Sequence, residues 1–365
     1  MMNIFNPTVF IFLLICIATK LEAQHLKKYT TPKLYLESYM GHDLLHPSNQ
    51  LRSSFIFNHK RLNEIGLNAG ILGFDYDYRR IKASLSAVQG TYSLYNMAEE
   101  PAALASVYEA HFSYQLLRDH ELWINVGIMP SNLGFESVLA QKNRMMTRSM
   151  LAENSPYYLN AAKLHYTSGN QKWYFEALLS NGWQKMIDGY LSAGHTIQFR
   201  PNTHWVINSS SFIGQVEISP LSNSADLRHR RFFHNFFVQY ERAAFNLTGG
   251  FDFGYDQLMA EPDNGGSWLA GILEFSYQWN EKLHTSVRGE YFFDPNQYVV
   301  YNSSNDEFEN LGLALNFGYH LHEYILWHIE GRAFQSMNPF YGGALASDKQ
   351  SLYVGTSLTL HLWPD

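Results

Sequence analysis

A transmembrane, up-and-down antiparallel β-barrel is the all-β fold this sequence predicts, and three observations predict it. From Thr31 onward apolar side chains recur at every second residue in segment after segment, the period of strands with one dry and one wet face. The connections between those segments alternate strictly between short and long, as a barrel with two chemically different ends requires. Charged residues also sit in mid-segment on the polar face, where a water-filled lumen tolerates them and a packed core does not.

Composition removes the competing classes. Aromatics make up 16% of the 365 residues and charged residues only 16%, against the ~25% usual in soluble domains. Mean hydropathy is −0.25, and beyond the N-terminus no apolar run approaches the ~20 residues of a membrane helix. A helical membrane bundle is thereby excluded. The net charge of −7, with no basic stripe, argues against a nucleic-acid partner. Cys16 is the sole cysteine, so disulfide and thiolate chemistry have no place in the rest of the chain.

The first element is a secretory leader. Val9 to Ala18 has the length of a signal-peptide core, and Leu21-Glu22-Ala23 suits cleavage before Gln24. Its first residues carry no Lys or Arg, which leaves an uncleaved anchor as the alternative. Ile15 is too bulky for lipoprotein processing at Cys16. Residues 1–23 are thus read as signal peptide and 24–365 as a single outer-membrane barrel domain.

Strands follow at 33–41, 62–77, 80–92, 105–117, 121–130, 157–168, 171–182, 190–200, 204–216, 231–241, 243–256, 267–279, 282–293, 310–320, 323–335 and 350–363. In the fourth, Tyr108, Ala110, Phe112 and Tyr114 read as the greasy face against Glu109, His111 and Ser113. In the fifth, Leu122, Ile124, Val126 and Ile128 alternate with Trp123, Asn125 and Gly127. The eleventh sets Phe245, Leu247, Phe251 and Phe253 against Asn246, Thr248 and Asp252. Leu311, Leu313, Leu315 and Phe317 oppose Ala314, Asn316 and Gly318 in the fourteenth, and Leu352, Val354 and Leu358 oppose Tyr353 and Ser357 in the last. The faces of 33–41 and 204–216 are poorly sorted, so fourteen and eighteen are the neighbouring even counts. Short turns such as Gly169-Asn170 and Asn280-Glu281 mark the periplasmic end, and the Gly-, Pro- and Asn-rich long loops the outer one.

The stretch from Gly127 through Pro130, Gly134 and Glu136, continuing through Asn143, Arg144, Arg148 and Ser149 to Pro156 and the strand Tyr158 to Tyr166, resembles the OmpL-like β-barrel porins of Gram-negative outer membranes. The shared pattern covers about forty residues: a Gly-x-Glu, an Asn, a Met/Arg/Ser stretch, then Pro and a strand. The resemblance implies an outer-membrane porin that passes small hydrophilic solutes by diffusion, lies in lipid and lipopolysaccharide, and is inserted by the barrel-assembly machinery. One departure is the end of the chain, where Trp363 stands two residues before Asp365 instead of closing the last strand.

Sixteen strands enclose an aqueous channel, so selectivity comes from whatever narrows it. The third long connection, Ser131 to Pro156, is the longest and is the expected constriction, with Glu136, Lys142, Arg144 and Arg148 as its candidate residues. The alternative is that these are solvated surface-loop charges. The lumen wall is assigned Glu109, Lys163, Glu176, Arg288, Glu290 and Arg332, with Arg200, Glu274 and Glu330 on the same face. That near balance of signs predicts no strong ion selectivity. The basic run Arg228 to Arg231 offers a site for anionic solutes or lipopolysaccharide phosphates, with a plain solvated cluster as the commoner reading. Asp306, Glu307 and Glu309 are weak candidates for a divalent cation, and no metal or cofactor is assigned.

Two other function classes remain. A lipid hydrolase needs a serine, a histidine and an orienting group, and His111/Ser113/Asn125 and His284/Ser286/Asn316 supply the residue types. Both sets fall on the face read as lumenal, the wrong side for lipid. A structural or adhesive surface barrel accounts for the loops but not for a charged lumen. The oligomeric state is open, a trimer included, because a trimer interface would read as lipid-facing surface.

Overall fold

Alternation becomes a closed sheet. The structure, a computed structural model, describes residues 28–217, 228–261, 263–301, 306–342 and 347–362. The leader at 1–23 and Trp363 to Asp365 lie outside the described residues. Sixteen strands form the wall: β1 (Thr30–Asp43), β2 (Ile65–Tyr78), β3 (Ile81–Gln89), β4 (Val107–Gln115), β5 (Glu121–Pro130), β6 (Tyr158–Thr167), β7 (Trp173–Ser180), β8 (Ser192–Phe199), β9 (Trp205–Glu217), β10 (Arg228–Arg242), β11 (Phe245–Leu258), β12 (Gly265–Gln278), β13 (Leu283–Asp294), β14 (Phe308–His322), β15 (Ile325–Ser336) and β16 (Gln350–Leu362). Each pairs antiparallel with its sequence neighbours, and β1 closes on β16 through Leu34 to Asp43. Closure leaves no unpaired edge, which is what the interior of a bilayer demands of a sheet. No helix among the described residues is long and apolar enough to cross a membrane.

The outward face is apolar along nearly every strand. Leu313 and Leu315 on β14 and Leu273 on β12 are exposed, while their neighbours Ala314, Asn316 and Glu274 are buried inside. Aromatic pairs ring the short-turn end: Trp173 stacks on Phe199 at 4.2 Å, Trp205 meets Tyr240 at 4.6 Å and Tyr277 meets Trp279 at 4.7 Å. Amphipathic rings of this kind sit where hydrocarbon gives way to headgroups.

Three local readings are corrected. The strand read at 80–92 stops at Gln89, because Gly90 turns to φ 133 and a short helix, α1 (Thr91–Asn96), folds inward. A Cβ at Gly90 would meet Asn68 O at 2.5 Å, so only glycine makes this exit. The strand read from 62 begins at Ile65, after Asn63 adopts φ 64. Tyr108, read as lipid-facing, is buried with Tyr35 and Tyr92, since a bulge pairs Ser86 with Glu109 but Ala87 with Val107. The extra residue turns its side chain to the other face.

With short turns inward to the periplasm, a tag inserted at Asp306 should be reached by antibody on intact cells, and one at Asn170 only after permeabilisation. Earlier labelling at Asn170 would invert the topology.

Candidate pore constriction

The residues after β5 do not stay outside. Pro130 ends that strand, Ser131 Oγ accepts from Leu133 N at 3.1 Å, and Gly134 takes φ 122, which turns the chain into the barrel. Ser137 and Asn143 clasp the descending limb: Ser137 N donates to Asn143 Oδ1 and Asn143 Nδ2 to Ser137 O, both at 2.8 Å. A single 3-10 turn spans Ala140–Lys142, and the rising limb carries a one-turn helix, α2 (Met150–Glu153), capped by Ser149. Leu133, Val138, Leu139, Met145, Met146 and Met150 are buried by the move.

Burying a loop leaves backbone groups that no sheet can satisfy. Wall side chains satisfy them here. Arg288 Nη1 donates to Thr147 O at 2.9 Å, Arg332 Nη1 to Arg148 O at 2.8 Å, and Ser286 Oγ and Asn316 Nδ2 both to Arg144 O. In return Glu290 accepts from Met150 N at 2.6 Å and Glu330 from Thr147 N at 3.0 Å. Arg332 and Glu290 pair at 2.8 Å, Arg288 lies 3.2 Å from Glu290 and 3.5 Å from Glu136, and Glu136 accepts from Ser149 N. Burial pushes the Glu136 carboxyl above its usual range, although Arg288 and Arg148 pull the other way.

The four loop candidates therefore separate. Glu136 joins the Arg288–Glu290–Arg332 cluster, and Arg148 is buried with its guanidinium 3.9 Å over the Tyr157 ring. Lys142 is exposed at the turn, and Arg144 is partly exposed, reaching Glu241 at 3.1 Å. All six wall candidates point inward, yet they do not line open water, and this corrects the reading from sequence. Arg288 and Arg332 are 0% exposed, because the loop lies against them. Glu109 is paired with Lys33 at 2.8 Å, and Lys163 lies 3.8 Å from Glu176, with Asn132 bridging the two.

Sequence reasoning missed the first long loop. Phe55 and Ile56 are buried in the lumen, where Phe55 packs on Phe308 and Phe334. His59 bonds Glu37 at 2.7 Å, and Glu153 of α2 accepts from Phe57 N at 2.6 Å, so the first loop braces the third. The apolar run Phe55-Ile56-Phe57 inside a long loop was the available signal. Above both loops a vestibule of about 780 Å³ opens at the long-loop end, lined among others by Tyr95, Trp183, Lys185 and Tyr301.

The basic run at 228–231 is also not one cluster. It opens β10, where alternation sends Arg231 inside to Asp256 at 2.9 Å and leaves Arg230 exposed. Among the described residues no group of three or more His, Asp or Glu side chains is arranged to hold a metal.

A family model described as "Putative beta-barrel porin-2, OmpL-like" matches residues 30–362. The chain belongs to this family. No curated protein matches this OmpL-like barrel. Among solved structures, the outer membrane channel DcaP of Acinetobacter baumannii superposes with TM-score 0.60 at 11% identity, covering 91% of this chain and 97% of that one. The trimer form of OmpT, an outer membrane protein of Vibrio cholerae, gives 0.61 at 8% identity over 92% and 99%. An anion-selective porin from Comamonas acidovorans gives 0.59 at 8% over 91% and 99%. At such identities the likeness is one of fold, and it extends over the whole OmpL-like barrel.

Proposed function

We propose that this chain is an outer-membrane porin through which small hydrophilic solutes diffuse passively, with residues 131–156 as its constriction. The observation that carries the reading is the loop itself, pinned across the lumen by Arg288, Glu290, Glu330 and Arg332. A wall of this strand number is wide when empty, so a seated loop sets the bore. Membership of the OmpL-like porin family supports the outer membrane as the location, and the trimer form of a similar barrel supports an oligomer. Lipid and lipopolysaccharide surround the belt, and the assembly machinery inserts it. The reading involves no bond chemistry. Ser286, one of the two candidate nucleophiles, donates its hydroxyl to Arg144 O inside the lumen.

Charge at the turn of the loop then sets ion preference. Two unit charges ~4 Å apart interact by about 1 kcal/mol in water and several-fold more in a confined pore. Lys142→Glu with Arg144→Glu should shift the anion/cation permeability ratio by up to about tenfold, read as a reversal potential in a salt gradient. Adding Arg148→Glu should change that ratio little, because Arg148 is covered by Tyr157. An unchanged reversal potential in a folded double variant would remove the loop from the permeation path.

A further inference from the structure

The outer face carries one polar anomaly. On β9, Ser211 points outward beside His195 of β8 and His234 of β10, its direct cross-strand partners. Ser211 Oγ lies 2.8 Å from His234 Nδ1. Within the described residues, His195 and His234 are the only imidazoles in mid-strand on the outward face. Two outward hydroxyls elsewhere are absorbed by the wall: Ser38 donates to Gly66 O and Thr356 to His328 O. The imidazole row is not absorbed in that way. Its setting is apolar, with exposed Ile213 and Phe232 on the long-loop side and Ile207, Phe236 and Val238 on the other.

Depth decides what can cover it. Ser211 is the central residue of β9, six residues from Trp205 in the aromatic ring. At a rise of ~3.3 Å per residue and a tilt of ~40°, that is about 15 Å into an apolar belt ~25 Å tall. Acyl chains offer imidazole no partner, and headgroups do not reach that depth.

We propose that the outer face of β8 to β10 is a contact surface between copies of this chain, with His195, Ser211 and His234 at its centre. The row is its own complement: a neutral imidazole has one donor and one acceptor nitrogen, and a serine hydroxyl has both roles. A second copy related by a two-fold axis beside the row brings the same groups to face it. Ala177, beside His195 on β7, and Ser209 keep the flanks low enough for two walls to approach. A Ser–His pair also invites a hydrolase reading. Among the described residues no carboxylate or amide is bonded to His234, and the pair lies well below the level of lipid esters. The proposal takes from the functional reading only that the barrel sits in a membrane.

The test uses the full chain with Cys16→Ser, folded in outer membranes. Ser209→Cys, treated with a short bis-maleimide, should give a band of twice the mass, while Leu313→Cys on the outward face of β14 should give none. The triple variant His195→Leu, Ser211→Ala, His234→Leu should keep its heat-modifiable barrel and its channel activity. Its oligomer should dissociate at roughly tenfold lower protein dilution by native mass measurement, since each hydrogen bond made in a membrane contributes modestly. A monomeric wild type, equal cross-linking at both cysteines, an oligomer unaffected by the triple variant, or cross-links only to a different protein would each overturn the proposal. So would phospholipid hydrolysis that disappears in Ser211→Ala.

Discussion

Replacing Arg288, Glu290 and Arg332 together with Met, Gln and Met should unseat the third loop and raise single-channel conductance several-fold, with the barrel still formed. These side chains hold Thr147 O, Arg148 O and Met150 N, and none of them contributes a backbone bond to the sheet beyond its own strand's ladder. Breaking a buried pair by removing one partner costs about 3–5 kcal/mol, because the other charge is left without compensation. Changing the three together spares that penalty for Glu290 but leaves Glu136 and Glu274 without Arg288, so part of the loss falls on the wall and the rest on the loop. The expected record is a larger, noisier current and new protease cleavage between 140 and 150, both measured on protein whose gel mobility still shifts on heating. An unchanged conductance with the loop cleavable would mean that another segment, the first loop being the nearest, sets the bore.

The second large effect separates the two faces of β14. Leu315 is 64% exposed and faces lipid, whereas Asn316 is buried and donates to Arg144 O at 3.1 Å. Leu315→Arg should cost roughly 2–4 kcal/mol near the bilayer midplane, seen as a lowered urea midpoint for the folded barrel. Asn316→Arg should leave the ladder intact and displace the loop's turn instead, changing conductance without a comparable loss of barrel. Equal destabilisation by both would mean the faces are exchanged.

Legibility followed the physics of each feature. Strands such as β11, β14 and β16 were readable because lipid on one side and a polar interior on the other impose a strict period of two, and a single pattern then fixes every side chain. Even β1, whose face looked unsorted, resolves once Lys33, Tyr35, Glu37 and Tyr39 are seen buried together inside. Tyr108 escaped because a bulge has no compositional mark. The length and place of the third loop were legible, but its seating was not. Arg288 holding a carbonyl 141 positions away leaves no periodic trace, and an inward arginine in a sequence looks the same whether it meets water or a backbone oxygen. Ser211 and His234 escaped for the same reason, being neighbours only through the register of β9 on β10.

That separation along the chain bears on how the molecule is made. Thr147 meets Glu330 and Arg332 across 183 and 185 positions, and Met150 meets Glu290 across 140. The loop leaves the ribosome long before the strands that will grip it. Contacts of such sequence separation form late and slowly. A half-built wall, lacking β13 to β15, therefore lacks the grip on Thr147, Arg148 and Met150. The C-terminal strands that zip against β1 thus close the wall and, with the loop as the proposed constriction, set the aperture in the same step.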